Sequence, residues 1–288
     1  LEHVRVKTGQ DFTAYKQGTL RRRIQRRMGV HRLASGDDYV SLLEQTPAEA
    51  ERLFDELLIG VTEFFRDTES FAALGEHVAE ALGSIETGRP YRAWVAGCST
   101  GEEAYSVAIV LHEVAQKNGY RVPLQIFATD LKVRAIAAAR RGTFPRSIET
   151  RVSPERLERF FRDKGDHYQV AQSIRDLVVF APHNLMTDPP FVNLDLLCCR
   201  NLLIYVDSEV QRRIIPTFHY ALRAGGLLLL GSSESLGPQA ESAFELLQTG
   251  TKLYRRTLGA WRGRETGMSG RQLRPRTQLS LGRYVGGD

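Results

Sequence analysis

A glycine-containing loop followed by two glutamates is the first place in this sequence where chemistry is expected. Residues 97–101 read Gly-Cys-Ser-Thr-Gly, follow a short apolar run at 93–96 and precede a helical segment that begins with Glu102 and Glu103. Such a turn lets the backbone approach a nucleotide-like ligand closely. The loop lacks the GxGxxG spacing, and its carboxylates would repel a diphosphate. It therefore favours a ligand with an ammonium and a sulfonium, S-adenosylmethionine, over NAD.

An aspartate at the end of the next strand supports this interpretation. An apolar run at 124–128 ends at Thr129-Asp130, where an acidic residue can accept hydrogen bonds from both ribose hydroxyls. Dehydrogenases and methyltransferases share this arrangement, so it does not choose between them. Glu102 and Glu103 could also serve only to complement the helix dipole, and that alternative stays open at this point.

The elements that position these residues follow from the hydrophobic pattern. Apolar residues at 20, 24 and 28 predict one helix, and further helices are predicted at about 38–44, from Pro47 and over 71–82. From residue 91, strand-like runs alternate with helical segments, which is typical of a mostly parallel sheet covered on both faces. We therefore predict an α/β fold, with a Rossmann-like, doubly wound sheet and an N-terminal helical domain.

The same pattern predicts the domain boundaries. Residues 1–88 are predicted to form the helical domain and a linker, and residues 89–258 the S-adenosylmethionine-binding domain. About 142–176 breaks the alternation with a helix, a turn and a short alternating run, so we expect a small β insertion there. Residues 259–288 are rich in Gly, Arg and Ser, and we predict a disordered tail.

Composition excludes several classes of protein. With 42% hydrophobic and 25% charged residues, the chain of 288 residues resembles a soluble globular protein. No apolar run approaches the roughly 20 residues that cross a bilayer, so no membrane insertion is expected. Three cysteines and seven histidines show neither disulfide nor metal-ligand spacing, so we predict no metal and a reducing cytoplasm. Because the chain does not begin with Met, we expect it to be a piece of a longer protein.

Five motifs occur in the order that one family shows. They are VTEFFRD at 61–67, GCSTGEEAYS at 97–106, FATD at 127–130, HNL at 183–185 and CRNLLIY at 199–205. From about residue 6 to 256 the chain resembles the chemotaxis receptor methyltransferases, the CheR family. The resemblance implies an S-adenosylmethionine-dependent methyltransferase that esterifies glutamate side chains of chemoreceptors and releases S-adenosylhomocysteine. The forms of 58–62 and 199–205 are most similar to the branch fused to a receptor methylesterase.

The resemblance also implies which residues bind the cofactor. They are Gly60, Thr62, Arg66, Glu103, Asp130, Asn184, Leu185, Cys199 and Arg200. Glu103 would meet the methionine end and Asp130 the ribose. Asn184 and Leu185 would lie on the adenine side. Gly60 departs from the family, since many members carry Asn there and glycine offers only its backbone.

Methyl transfer to a carboxylate needs little acid–base assistance, because a glutamate is already ionised near neutral pH. The enzyme must hold the reacting groups close, exclude water and orient one oxygen. Arg66 could pair with the incoming carboxylate, and Tyr205 could donate one hydrogen bond to it. Alternatively, Arg66 is a structural residue at a helix start and Tyr205 is a core aromatic whose hydroxyl reaches the surface.

Two other functions are considered. The Asp-Pro-Pro-Phe sequence at 188–191 resembles a motif of amino-group DNA methyltransferases, but it precedes the strand at 194–198 instead of ending it, which favours a Pro-rich connection. A non-catalytic module that senses S-adenosylmethionine or scaffolds a signalling complex is the second.

The basic stretch 16–32 contains no acid, and we expect it to meet the acidic helical bundle of a chemoreceptor, not nucleic acid. A solvated face is the alternative.

Overall fold

The computed structural model describes residues 1–58, 60–240 and 242–258, and four helices come first. They are α1 (Glu2–Thr8), α2 (Gln17–Val30), α3 (Gly36–Gln45) and α4 (Pro47–Leu57). The Ser35 side chain caps α3, and Pro47 occupies the first turn of α4, where its missing N–H leaves no hydrogen bond unmade. The apolar faces of these helices enclose a core of their own, which makes them a separate N-terminal domain.

Further helices accompany a set of strands. The helices are α5 (Thr68–Gly83), α6 (Glu102–Lys117), α7 (Val133–Arg141), α8 (Pro154–Phe160), α9 (Gln172–Arg175) and α10 (Ser208–Ala221). The strands are β1 (Tyr91–Ala96), β2 (Leu124–Asp130), β3 (Thr143–Pro145), β4 (Phe161–Asp163), β5 (His167–Val170), β6 (Val178–Pro182), β7 (Leu194–Cys199), β8 (Leu222–Leu230), β9 (Phe244–Leu246) and β10 (Leu253–Arg256).

Seven of these strands form the central sheet in the order β6-β2-β1-β7-β8-β10-β9. Strands β6, β2, β1, β7 and β8 pair in parallel, whereas β10 is antiparallel to both of its neighbours. Strand order reverses between β1 and β7, and ligands of open α/β sheets bind at the carboxyl ends of strands on either side of such a reversal. The predicted loop 97–101 and the segment 199–205 both follow strands at this point.

The two faces of the sheet are covered by different helices. Tyr91, Ala93 and Val95 of β1 are buried with α5 and α6, and Trp94 and Ala96 are buried with α10. This alternation is expected for a strand covered on both faces. The predicted mostly parallel, doubly wound sheet with an N-terminal helical domain is confirmed.

Helix α5 belongs with the sheet and not with the first four helices. Its residues Phe71, Leu74, Val78 and Leu82 are buried in the same cluster as the inner residues of β1. The core of the first four helices therefore does not include α5, which lies within residues 1–88, the range predicted for the helical domain and linker, but packs on the sheet. The reason is physical, because side-chain packing decides domain membership and a helical pattern alone does not.

The insertion predicted at about 142–176 contains a three-stranded antiparallel sheet of order β3-β5-β4. Phe144 of β3 and Phe161 of β4 contact Phe64 edge-on, with ring centroids 4.8 Å and 5.4 Å apart. The insertion thus anchors the segment that joins the two domains. The predicted tail, 259–288, lies outside the described residues. No helix in the described part of the chain is long and apolar enough to cross a membrane.

Candidate active site

A cavity of about 1060 Å³, partly open to solvent, lies at the carboxyl ends of β1, β2 and β7. Nine of the ten predicted site residues line it, namely Gly60, Thr62, Arg66, Glu103, Asp130, Asn184, Leu185, Arg200 and Tyr205. Cys199 is the exception. It is fully buried in a hydrophobic cluster on one face of the sheet. Contrary to the prediction that it binds the cofactor, Cys199 does not line the cavity.

The loop 97–101 depends on its glycines. Gly97 and Gly101 have φ values of 77° and 101°, in the left-handed region that glycine tolerates. A Cβ on Gly101 would lie 2.9 Å from the Cβ of Ala139, and one on Gly97 would lie 2.9 Å from Leu202. Only glycine allows the loop to pack this closely between its neighbours, and this closeness places the start of α6 at the cavity.

Asp130 ends β2 with its carboxylate held by the backbone. One oxygen accepts the N–H of Ser99 over 2.9 Å, and the other accepts the N–H of Lys132 over 2.8 Å. Burial raises the pKa of Asp130, and these two N–H groups oppose the rise. Each oxygen keeps a further lone pair, so the carboxylate can still accept hydrogen bonds from a pair of ribose hydroxyls.

Glu103 is the least satisfied carboxylate of the cavity. Its side chain is 12% exposed, and its ion pair with Arg200 is long, at 3.3 Å. Burial raises the pKa of Glu103 to about 7, against the opposing charge of Arg200. A carboxylate in this state gains from a cation that arrives with a ligand. Glu103 therefore fits the ammonium of the methionine end.

Arg200 is fully buried and is shared among several partners. Its Nη2 donates to the carbonyl of Arg66 over 2.7 Å and to the carboxylate of Asp67 over 2.8 Å, while Nη1 faces Glu103. The family resemblance predicts that Arg200 binds the cofactor. The contacts show in addition that it connects the segment 60–67 to the start of α6.

The segment that carries Arg66 is bent by an unusual backbone. Phe65 and Asp67, on either side of it, have φ values of 50° and 58°. Such conformations cost free energy in residues other than glycine and cluster at functional sites. The N–H of Phe65 donates to the buried Ser106 hydroxyl over 3.0 Å, which stabilises the bend. Among the described residues, the Arg66 guanidinium forms no ion pair and has one long contact, 3.5 Å to the carbonyl of Val61.

Sequence reasoning missed Glu234. Its carboxylate is 4% exposed and accepts four backbone N–H groups at 2.6–3.3 Å, those of Asn201, Leu203, Ile204 and Gly231. It therefore holds the loop that carries Arg200 and Tyr205. No local pattern marks it, because a single glutamate in a polar stretch resembles any surface residue.

Lys132 was also missed, and it bears on the departure at Gly60. Its ammonium donates to the carbonyls of Asp55 and Leu58 at the end of α4. A Cβ on Gly60 would lie 3.2 Å from the Ser99 hydroxyl and 3.8 Å from the Lys132 ammonium. In this chain, Lys132 and Ser99 thus occupy the space beside Gly60 and bind the backbone there.

Asn184, one of the two residues predicted to lie on the adenine side, already has hydrogen-bond partners within the protein. The side-chain amide of Asn184 donates to Gln10 over 3.0 Å and accepts the N–H of Met186 over 2.9 Å. Its N–H donates to Asp188 over 2.8 Å. Asn184 therefore shapes the wall of the cavity by fixing the 183–188 turn, and Leu185 supplies an apolar surface beside it.

Two family models match the chain. Residues 60–253 match the CheR methyltransferase, SAM binding domain, and residues 1–58 match the CheR methyltransferase, all-alpha domain. The chain belongs to the CheR methyltransferase family. The predicted cofactor, S-adenosylmethionine, is thereby confirmed, and the carboxylates of Glu103 and Asp130, which line the cavity, are acceptors of the kind that its ammonium and ribose hydroxyls require.

Curated relatives agree with this assignment. The chain is 34% identical over 271 residues to the putative methyltransferase Cher3 of Pseudomonas putida, covering 89% of this chain and 95% of that protein. It is 37% identical over 191 residues to chemotaxis protein methyltransferase 1 of Pseudomonas aeruginosa, covering 65% and 70%. An uncharacterized 104.1 kDa protein of Rhodobacter capsulatus is 42% identical over 245 residues, but that match spans 85% of this chain and only 26% of the larger protein.

Proposed function

We propose that this member of the CheR methyltransferase family transfers a methyl group from S-adenosylmethionine to glutamate side chains of chemoreceptors, forming methyl esters. The proposal rests above all on Arg66. Its guanidinium lines the cavity and, among the described residues, has no carboxylate partner. A guanidinium without a partner can donate two parallel hydrogen bonds to a carboxylate. The names of relatives as chemotaxis protein methyltransferases support the choice of acceptor.

The reaction balances without a base. A lone pair of the glutamate oxygen forms the new O–CH₃ bond, the S–CH₃ bond breaks, and its electron pair returns to sulfur. The products are a methyl ester and S-adenosylhomocysteine, and the bound cofactor supplies the activated methyl group. The chain has to orient the carboxylate and exclude water. Arg66 would hold the carboxylate, and Tyr205, which also lines the cavity, would donate a hydrogen bond to the oxygen that does not attack.

The amino-group alternative has no support in the cavity. Asp188 of the Asp-Pro-Pro-Phe sequence does not line it, and its carboxylate is bound to the N–H of Asn184. Phe191 stacks on Phe127 with ring centroids 4.5 Å apart, which fixes the sequence as a packed connection. A base flipped out of a duplex would have to stack on an aromatic side chain in the cavity. Phe191 does not line the cavity and already stacks on Phe127, so it cannot serve this purpose.

The test uses the full chain with labelled S-adenosylmethionine and membranes that contain chemoreceptors. Label released as methanol by mild alkali is expected, because methyl esters hydrolyse and N-methyl groups do not. Arg66→Ala should lower turnover by about 10²-fold or more, as for loss of a charged group near the reacting atoms. Arg66→Lys should restore only part of it, since lysine keeps the charge and loses the planar fork.

Arg212→Ala is the matched control, because Arg212 is exposed on α10, outside the cavity, and should leave turnover unchanged. Alkali-stable label would show another acceptor. Cofactor binding with no transfer to any receptor would favour a sensing or scaffolding module. Normal turnover of Arg66→Ala combined with a lower Tm would show that Arg66 is structural.

A further inference from the structure

Tyr15 reaches the cavity from the N-terminal domain. It lies between α1 and α2, its ring packs against Phe12 with centroids 5.2 Å apart, and 9% of its surface is exposed. It lines the same cavity as Asp130 and Arg200. A side chain from outside the sheet domain therefore forms part of the wall.

The backbone at Tyr15 is fixed to the sheet domain. Tyr15 forms an antiparallel bridge with Val206, and the N–H of Lys16 donates to the carbonyl of Tyr205 over 2.9 Å. The loop 200–205, which Glu234 holds, leads directly into this bridge. Backbone hydrogen bonds to the loop that carries Arg200 thus fix the position of Tyr15 relative to the sheet domain.

The Tyr15 hydroxyl has no hydrogen-bond partner among the residues that the structure describes. Three other tyrosines use theirs at 2.7–2.8 Å, namely Tyr39 to Glu49, Tyr105 to the carbonyl of Ala139 and Tyr168 to Glu149. The Tyr91 hydroxyl also lacks a partner, but Tyr91 is enclosed in the core, whereas Tyr15 lines the cavity, where a ligand can supply the missing acceptor. Burial and the nearby Asp130 carboxylate raise the pKa of Tyr15 to about 12, so the phenol remains a donor at neutral pH.

We infer that the Tyr15 hydroxyl donates a hydrogen bond to the nucleoside part of the cofactor, so that the N-terminal domain completes the cofactor site. The nucleoside is favoured because Tyr15 and Asp130 line the same cavity and the Asp130 carboxylate, which is proposed to bind the ribose, raises the pKa of the phenol, whereas Glu103 is expected to meet the amino-acid end. The inference rests on the proposed function only for the identity of the bound cofactor.

The test is Tyr15→Phe in the full chain, which removes the hydroxyl and keeps the ring. The Kd of S-adenosylhomocysteine, measured by calorimetry, should rise about 3- to 10-fold, as for the loss of one hydrogen bond. The Tm without ligand should not change, because no protein group loses a partner. The same ratio of Kd values is expected for 5′-methylthioadenosine, which keeps the nucleoside and lacks the amino-acid end.

Tyr39→Phe is the matched control. It removes the same atom from the helical domain, away from the cavity, and should lower the Tm while the Kd stays constant. An unchanged Kd for Tyr15→Phe overturns the inference. So does a loss seen with S-adenosylhomocysteine but absent with 5′-methylthioadenosine. Failure of the proposed function gives a different result, since the wild-type chain would then bind cofactor and transfer no methyl group.

Discussion

Two shielded glutamates, one in each domain, face an arginine and behave in opposite ways. Glu49 of α4 is 1% exposed and receives Arg27 through two contacts, 2.9 Å and 2.6 Å, as well as the Tyr39 hydroxyl and His31. Burial alone would raise its pKa, but these hydrogen bonds outweigh burial and lower the pKa to about 2. Glu103 has a single contact with Arg200 at 3.3 Å, and its pKa is raised to about 7.

The difference lies in how the arginine is used. Arg27 is committed to Glu49, so the pair is satisfied and ties α2 to α4. Arg200 divides its donors between Glu103, Asp67 and the carbonyl of Arg66, so no acceptor receives a full bidentate contact. A shielded charge left short of a partner costs stability, and sites that must bind a charged ligand accept that cost.

The largest effect, a decrease in the free energy of unfolding, is expected from Glu49→Gln. The substitution leaves Arg27 without a counter-ion, and breaking one side of a buried ion pair costs about 3–5 kcal/mol. Denaturant unfolding of the chain at pH 7 should show this loss. The cofactor Kd, measured where the variant is folded, should be unchanged. A loss under about 1 kcal/mol would break the comparison, because Glu49 would then be no better satisfied than a surface carboxylate.

Glu103→Gln should produce the opposite result. It removes the partner proposed for the cofactor ammonium, and a charged hydrogen bond is worth about 1.5–3 kcal/mol, so the Kd should rise roughly 10- to 100-fold at pH 8. Unfolding free energy should be unchanged or higher at that pH, since a carboxylate with a raised pKa is destabilising once it is ionised. Equal Kd values for the wild type and Glu103→Gln would show that Glu103 does not bind the cofactor.

The pH dependence of the wild type sharpens this prediction. The folded pKa of Glu103 lies above its ordinary value of 4.5, so its protonated form predominates below about pH 7. If the ammonium requires the ionised form, cofactor affinity should rise up to tenfold per pH unit toward pH 7 and level off above it. Glu103→Gln should flatten this profile. Folding stability has opposite signs at the two glutamates. The raised pKa of Glu103 means that its ionisation lowers stability as the pH rises from 4.5 to 7, whereas the lowered pKa of Glu49 gives stability that is present above pH 4.5 and is lost as the pH falls toward 2.

The sequence was sufficient to predict which strands and loops form the site. It was not sufficient to predict which ion pairs and hydrogen bonds its charged side chains make. Strand–loop–helix alternation and the glycine loop locate Glu103 and Asp130, because the carboxyl ends of parallel strands meet at one edge. Three residues could not be predicted in this way, because their partners are distant in the sequence. Glu234 and Lys132 bind backbone groups of other segments, and Tyr15 reaches the cavity from the other domain. The alternating strand pattern also could not show that α5 packs with the sheet, since packing partners are not encoded in one helix's periodicity.

The arginines of α2 also divide into paired and unpaired side chains, and the smallest effect, a change in the receptor KM, is expected here. Arg23 and Arg26 pair with Glu56 at 3.2 Å and 3.1 Å, so they serve the fold, as Arg27 does. Arg21 and Arg22 are exposed and have no ion pair among the described residues. If α2 docks on an acidic receptor bundle, these two arginines should carry the attraction, because only unpaired charges remain available to a partner.

Arg21→Glu combined with Arg22→Glu should therefore raise the receptor KM roughly three- to tenfold at low salt, with cofactor Kd and Tm unchanged. The effect should shrink as salt increases, because screening acts over about 8 Å at physiological ionic strength. Reversing exposed Arg212 and Arg213 on α10 changes the net charge equally and serves as the control. If both double variants raise KM alike, the attraction depends on overall charge and not on α2. If neither does, α2 is a solvated face, and docking falls to the insertion that carries β3, β4 and β5.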